Sequence, residues 1–419
     1  MNGGGNLATV DGRLSKFQMV TAFLSLVFTG MCACSSSHVA LPSAVPEIAS
    51  VIAVRSLAEV HPVLGIDDRV HLAYELLVIN FSSALVNLDR VVEALSASGA
   101  KLDELAGDAL LKRIRISGGE SGKILGASHS GFILMDVSLP KTSALPTTIR
   151  HRIMTTRQLR AAPDDDHHGI PLPPESPIEA SATFVGAETT VDPSPAIAIS
   201  SPLRGPGWLV GNGCCDELNP HRGAVIAING AQYAPERFAI DFVQLDHDHR
   251  LFSGPVGKLS SYAYFGAPVY AVADGTVIRV EDGAAEETPE ALPPGKKLSA
   301  LAGNHVIVDL GTGHFAVYAH LQLRSIQVKI GDRLHRGDVL GRLGNTGNSS
   351  NPHLHFHITD RPSALASNGL PFVITNLVTA GVATGFDPIF SGEPAVIDPQ
   401  MAGSRPGRLP LNNHVVTFE

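Results

Sequence analysis

Between residues 201 and 387 short apolar runs alternate with turn residues, and no apolar stripe of helical period persists for ten residues. The runs are 224–229, 238–245, 269–280, 305–310, 314–321, 339–343 and 353–358, separated by Gly, Pro, Asn and Asp. Period-two patterning bounded by such residues predicts strands. Strands without intervening helices predict an antiparallel sheet. Residues 283–301, acidic and proline-bearing, interrupt it as a loop. Upstream, 74–80 and 130–137 read as strands and 88–95 as a strand or a short turn of helix, with a glycine turn at Gly118–Gly119. That pattern predicts a small β-sandwich. The expected fold class is therefore all-β, an antiparallel core preceded by a sandwich. The expected boundaries are a leader over 1–34, a tether over 35–65, the sandwich over 66–160 and a proline-rich linker over 161–200. The main domain follows over 201–387, then a tail over 388–419 whose last strand-like piece is 414–418.

One run differs in kind. His353, His355 and His357 are spaced by two, with Leu354, Phe356 and Ile358 between them. On a strand, residues two apart share a face, so three imidazoles point one way and the apolar side chains the other. Neutral imidazole is the commonest metal ligand. Two further apolar strands each carry one metal-type side chain, Asp241 in 238–242 and His320 in 318–321. A buried Asp is costly unless paired or metal-bound. A catalytic zinc needs three protein ligands and one open position. Other histidines read otherwise. His305 and His314 are expected on the surface or half-buried, His335 in a turn and His357 at a groove wall; His167 and His168 beside three aspartates read as a solvated acidic loop.

Composition narrows the setting. The 419 residues carry a net charge of −9 and no basic block, which argues against nucleic acid as a partner. Four cysteines, Cys32, Cys34, Cys214 and Cys215, are too few for a disulfide scaffold. After Arg13 and Lys16, residues 17–31 are almost wholly apolar, the length of a signal-peptide core and short for a membrane span. Cys32-Ala-Cys34-Ser-Ser-Ser follows and resembles a bacterial lipoprotein processing site, with Cys34 as the first candidate for a lipid. The expected location is outside the cytoplasm, in the periplasm or cell envelope, with that lipid as the route to membrane attachment.

The motifs His353-Leu-His355-Phe, Tyr318-Ala-His320-Leu, Gly266–Val277, Gly303–Gly311 and Gly331–Gly341 fall in one order. Over about 201–375 they resemble the lysostaphin-type zinc endopeptidases, which cut the peptide cross-links of peptidoglycan. The resemblance implies a zinc cofactor and a peptidoglycan peptide substrate. It implies Asp241 and His355 as zinc ligands and His320 and His353 as catalytic residues, one handling the proton and the other the oxyanion. In the family, a segment before the site can occupy the zinc's open position, and Asn212 or Asp216 lies in the corresponding stretch. One position departs, because the family's first ligand in HxxxD is here Arg237, and arginine cannot ligate zinc. Candidates for the third ligand are His221, then His247 and His249 in a polar turn, then Cys214 and Cys215 as thiolates. His221 ranks first, on an expected antiparallel pairing of 224–228 with 237–242 through the turn at Asn229–Gly230. Arg237 would then meet a substrate carboxylate, or pair with Asp241 if no metal binds. Two functions follow: a zinc metalloendopeptidase of the cell wall, or a catalytically degenerate module of the same fold that binds peptidoglycan or regulates a hydrolase.

Overall fold

The computed structural model describes residues 48, 50–116, 122, 124–158, 181–215, 219–291 and 295–419. The leader, Cys32 and Cys34, the Gly118–Gly119 turn, His167, His168 and Asp216 lie outside them. From Ile48 to Glu419 the chain forms one compact unit. Its helices are short, the α-helices being Gly107–Arg113 and Phe386–Phe390. Among the described residues no helix is long and apolar enough to cross a membrane.

The first half is two five-stranded sheets. One is built on Arg69–Asn80, flanked by Ile52–Ser56 and Ser130–Pro140. The other is built on Leu85–Ser96 and Thr148–Gln158. Leu72, Tyr74, Leu76 and Val78 enter the core between them. The alternate residues of the same strand, His71, Ala73, Glu75 and Leu77, are buried as well, and Ala73 belongs to the core of the second half. The strand is covered on both faces, which is why its sequence is nearly continuously apolar and does not alternate.

The second half is a twelve-stranded sheet. Its central run, in spatial order, is Asn304–Asp309, Phe315–Leu321, Leu354–Thr359, Ile240–Gln244, Gly205–Gly211, His414–Phe418 and Leu377–Thr384, all antiparallel. Leu354, Phe356 and Ile358 are fully buried behind the histidine face. Phe356 packs between Tyr318 and Phe372 at ring distances of 5.2 Å, and Phe242 meets Phe418 edge-on at 5.5 Å.

Several expected boundaries shift. The described part of the expected tether contains the strands Ile52–Ser56 and Pro62–Leu64. The end of the expected linker contains Ser181–Thr190, paired with Thr148–Gln158, and Ile197–Ile199, paired in parallel with Phe372–Ile374. The expected tail supplies His414–Phe418 to the middle of the large sheet. The turn at Asn229–Gly230 forms with both residues at positive φ, 51° and 80°, as a tight hairpin requires. It joins Ile226–Ile228 to Ala231–Tyr233, and not to the strand bearing Asp241.

Candidate metal centre

Register brings the site together. Asp241 lies opposite His355 on the adjacent strand, and on its other side His355 lies opposite Ala319. Asp241 Oδ1 is 3.0 Å from His355 Nδ1 and 3.4 Å from His353 Nε2, and Asp241 Oδ2 is 3.3 Å from His221 Nε2. His221, Asp241 and His355 each place a donor atom within 4.8 Å of the others, and so do His320, His353 and His355. His221 comes from a turn, not a strand. Asn219 holds that turn, accepting from the Arg222 backbone and donating to the Gly213 carbonyl, both at 2.9 Å.

His320 arrives by a local break in the strand. Ala316 and Tyr318 face the core, while Val317 and Ala319 line the cavity. Strict alternation would send His320 to the core. The pairing with Asn304–Asp309 shifts register beside Ala319 and His320, and His320 takes a left-handed φ of 61°. This β-bulge re-aims the imidazole into the cavity, at the cost of a backbone conformation a non-glycine residue adopts reluctantly.

The hydrogen bonds decide which nitrogen of each ring is free, because a carbonyl can only accept. His221 Nδ1–H donates to the Asn212 and Ala239 carbonyls, at 3.0 and 3.1 Å. His320 Nδ1–H donates to Thr346 at 2.7 Å and His353 Nδ1–H to Asn351 at 2.8 Å. All three leave Nε2 toward the centre. His355 is turned the other way. His357 Nε2–H donates to the Ala364 carbonyl at 3.2 Å, so its Nδ1 accepts from His355 Nε2–H at 2.9 Å. The His355 Nδ1 lone pair then faces Asp241. His357 lines the cavity, as expected of a groove wall, but it also orients His355; its parity with His355 was the available signal. Asn212 donates to Asp241 Oδ2 at 2.7 Å.

The electrostatics favour a cation. Burial works against ionised Asp241, but His221 and His353 outweigh it and hold the carboxyl well below its usual range. Burial likewise depresses His221, yet Asp241 lifts it to about 9. Burial, reinforced by His353 and His355, pushes His320 well down. A buried carboxylate among imidazoles, their ring nitrogens turned toward it, suits zinc in donor type and number once the proton on His221 is displaced. Of the five residues offered for the third ligand, His221 alone reaches this cluster. His247 and His249 are exposed in a turn, and Cys214 and Cys215 are joined by a disulfide. Arg237 meets neither Asp241 nor the cavity. It is buried and bound to Glu75 of the first half.

The histidine-bearing segment has relatives. Residues 260–367 match the family model of peptidase family M23. The chain contains a peptidase family M23 domain. The matched segment holds His320, His353 and His355; His221 and Asp241 precede it. The chain is similar to the peptidoglycan DD-endopeptidase ShyA of Vibrio cholerae, 32% identical over 96 residues, 23% of this chain and 18% of that protein. It is 35% identical over 117 residues to an uncharacterized metalloprotease of Haemophilus influenzae, covering 27% of this chain and 21% of that one. These alignments span only about a fifth of each relative. Among solved structures, the catalytic domain of lysostaphin from Staphylococcus simulans aligns at 23% identity with a TM-score of 0.21, covering 34% of this chain and 80% of that domain.

Proposed function

We propose that the protein is a zinc metalloendopeptidase that hydrolyses peptide bonds of bacterial peptidoglycan. The observation that carries this reading is the convergence of His221 Nε2, an Asp241 carboxylate oxygen and His355 Nδ1 within 4.8 Å at the edge of a cavity of about 640 Å³. A zinc ion held by these three residues would polarise a scissile carbonyl and acidify a water molecule. His353 and His320 then act on the protons and charge. Each turns Nε2 toward the cavity, that of His353 lying 3.4 Å from Asp241 Oδ1, and each is braced behind by a carbonyl, so each can exchange a proton with water or, once protonated, donate to an oxyanion or a leaving amine. The substrate class is supported by the resemblance of the M23 domain to peptidoglycan endopeptidases. The leader at 17–31 and the cysteine at Cys34 support export to the periplasm or cell envelope, with a lipid anchor on Cys34.

The rival reading, a degenerate peptidoglycan-binding module, was motivated by Arg237 standing in for the metal's charge beside Asp241. Its other ground is that the family's first HxxxD histidine is here Arg237; Arg237 is engaged by Glu75 instead of Asp241, and His221 offers a nitrogen at Asp241 in its place. Metal analysis tests the proposal. The purified protein is expected to hold about one zinc, and His221→Ala to lose it. A wild type that stays metal-free after zinc supplementation would sink the reading. Digestion of purified peptidoglycan by wild type and not by His221→Ala then separates an enzyme from a zinc-stabilised binder.

A further inference from the structure

We infer that Glu75, a residue of the first β-sandwich, is a positioning residue of the metal centre, and that the sandwich is a built-in part of the site. The inference rests on the reading of His221, Asp241 and His355 as the ligand set. Two limbs of chain carry the first two of these ligands. The limb with His221 continues directly into Arg222, and the limb with Asp241 begins at Arg237. Among the described residues no strand pairing joins the limbs at the ligands; Ile226–Ile228 pairs with Ala231–Tyr233. Glu75 joins them. Its Oε1 accepts from Arg222 Nη1 at 2.7 Å, and both of its oxygens accept from Arg237 Nε at 3.0 and 3.1 Å, with Arg237 Nη2 at 2.5 Å from Oε2. All three side chains are at most 1% exposed. Arg222 donates further to the Met135 carbonyl of the sandwich at 2.9 Å.

The route from this clamp to the ligands is short. Arg222 fixes the turn whose preceding residue is His221. Arg237 fixes the segment in which Ala239 accepts from His221 Nδ1–H, and two residues later that segment presents Asp241. One carboxylate therefore sets the spacing of two ligands without touching either. Burial opposes the charge on Glu75, and Arg237 and Arg222 outweigh it. A buried ion cluster of this kind is a poor source of stability compared with an apolar equivalent, and its geometric role accounts for it better. Alternation along Arg69–Asn80 supplies the placement: even positions face the sandwich core, and Glu75 faces the M23 side.

Zinc affinity is the readout, measured on the whole protein by competition with a chromophoric chelator. Glu75→Gln is expected to weaken zinc binding by about 10–100-fold, the range for residues that orient metal ligands. The control is Asp68→Asn, which removes the carboxylate that pairs with Arg408, neither residue lining the cavity. It is expected to bind zinc as the wild type does. Glu75→Gln within twofold of the wild type overturns the inference, as does an equal loss in Asp68→Asn. If Glu75→Gln does not fold, the neutral triple E75M, R222M, R237M carries the same comparison. Amide exchange on the wild type needs no variant: zinc loading is expected to slow exchange in residues 72–78, and unchanged exchange there overturns the inference. A wild type that binds no zinc overturns both this inference and the reading it rests on, whereas a zinc-binding Glu75→Gln of wild-type affinity overturns this one alone.

Discussion

His355 can offer Nδ1 to a metal only while its other nitrogen keeps a proton, and that proton needs an acceptor in a buried place. His357 supplies it, and the Ala364 carbonyl keeps His357 in the accepting tautomer. Replacing His357 by Phe is expected to lower zinc affinity about 10–100-fold, with His357→Gln, which retains an acceptor, recovering part of the loss in the same chelator competition. Wild-type affinity in His357→Phe would show the contact to be idle. The roles of His353 and His355 rest on parity and motif, both readable in one sequence. The aim of His320 was not readable from periodicity, because it depends on a bulge and a left-handed backbone that contradict alternation. The partner of Arg237 was out of reach for a different reason: it lies 162 residues away on another sheet.

At the scale of elements, two buried histidines of the sandwich set opposite limits on its stability. His151, on Thr148–Gln158, donates Nδ1–H to Ala187 O at 2.8 Å and accepts from Tyr74 at 2.7 Å. Burial lowers its pKa to about 4. The unfolded chain takes up this proton near pH 6.5 and the folded one only near 4, so its contribution is complete above 6.5 and is lost as pH falls, a difference on the order of 3 kcal/mol. His71 runs the other way. Burial lowers it, but Asp136 at 2.9 Å and Asp67 at 3.2 Å prevail and raise it to about 10. Its contribution is complete below pH 6.5 and is lost as pH rises toward 10. Urea midpoints are expected to peak near pH 6.5 and to fall on both sides. His151→Phe should flatten the acid limb and His71→Gln the alkaline one; limbs unchanged by these variants would remove the two histidines as the cause. Element type was largely legible, since turn residues bound the runs. Ser181–Thr190 escaped because an edge strand that is half-exposed along most of its length shows little apolar alternation.

At the scale of the molecule, the sheet is stitched from distant parts of the chain. Gly205–Gly211 lies between the strand bearing Asp241 and His414–Phe418, and the latter pairs in turn with Leu377–Thr384. Val415, Val416 and Phe418 belong to the same core as Phe356. Removing residues 412–419 is expected to abolish cooperative unfolding of the M23 side, seen as loss of a thermal transition by near-UV circular dichroism. A truncated protein with the wild-type transition would show this strand to be dispensable.

That stitching also orders events in time. Residues 414–418 must leave the ribosome before Gly205–Gly211 can acquire both neighbours, and contacts this distant in sequence form slowly. Until then Gly205–Gly211, the neighbour of the Asp241 strand, has one edge unpaired. Under the proposed function, a chain threaded through a membrane from its leader onward carries no assembled hydrolase while it is being made. With export led by residues 17–31, the last strand of the sheet would join only after the chain's later segments have followed that leader across.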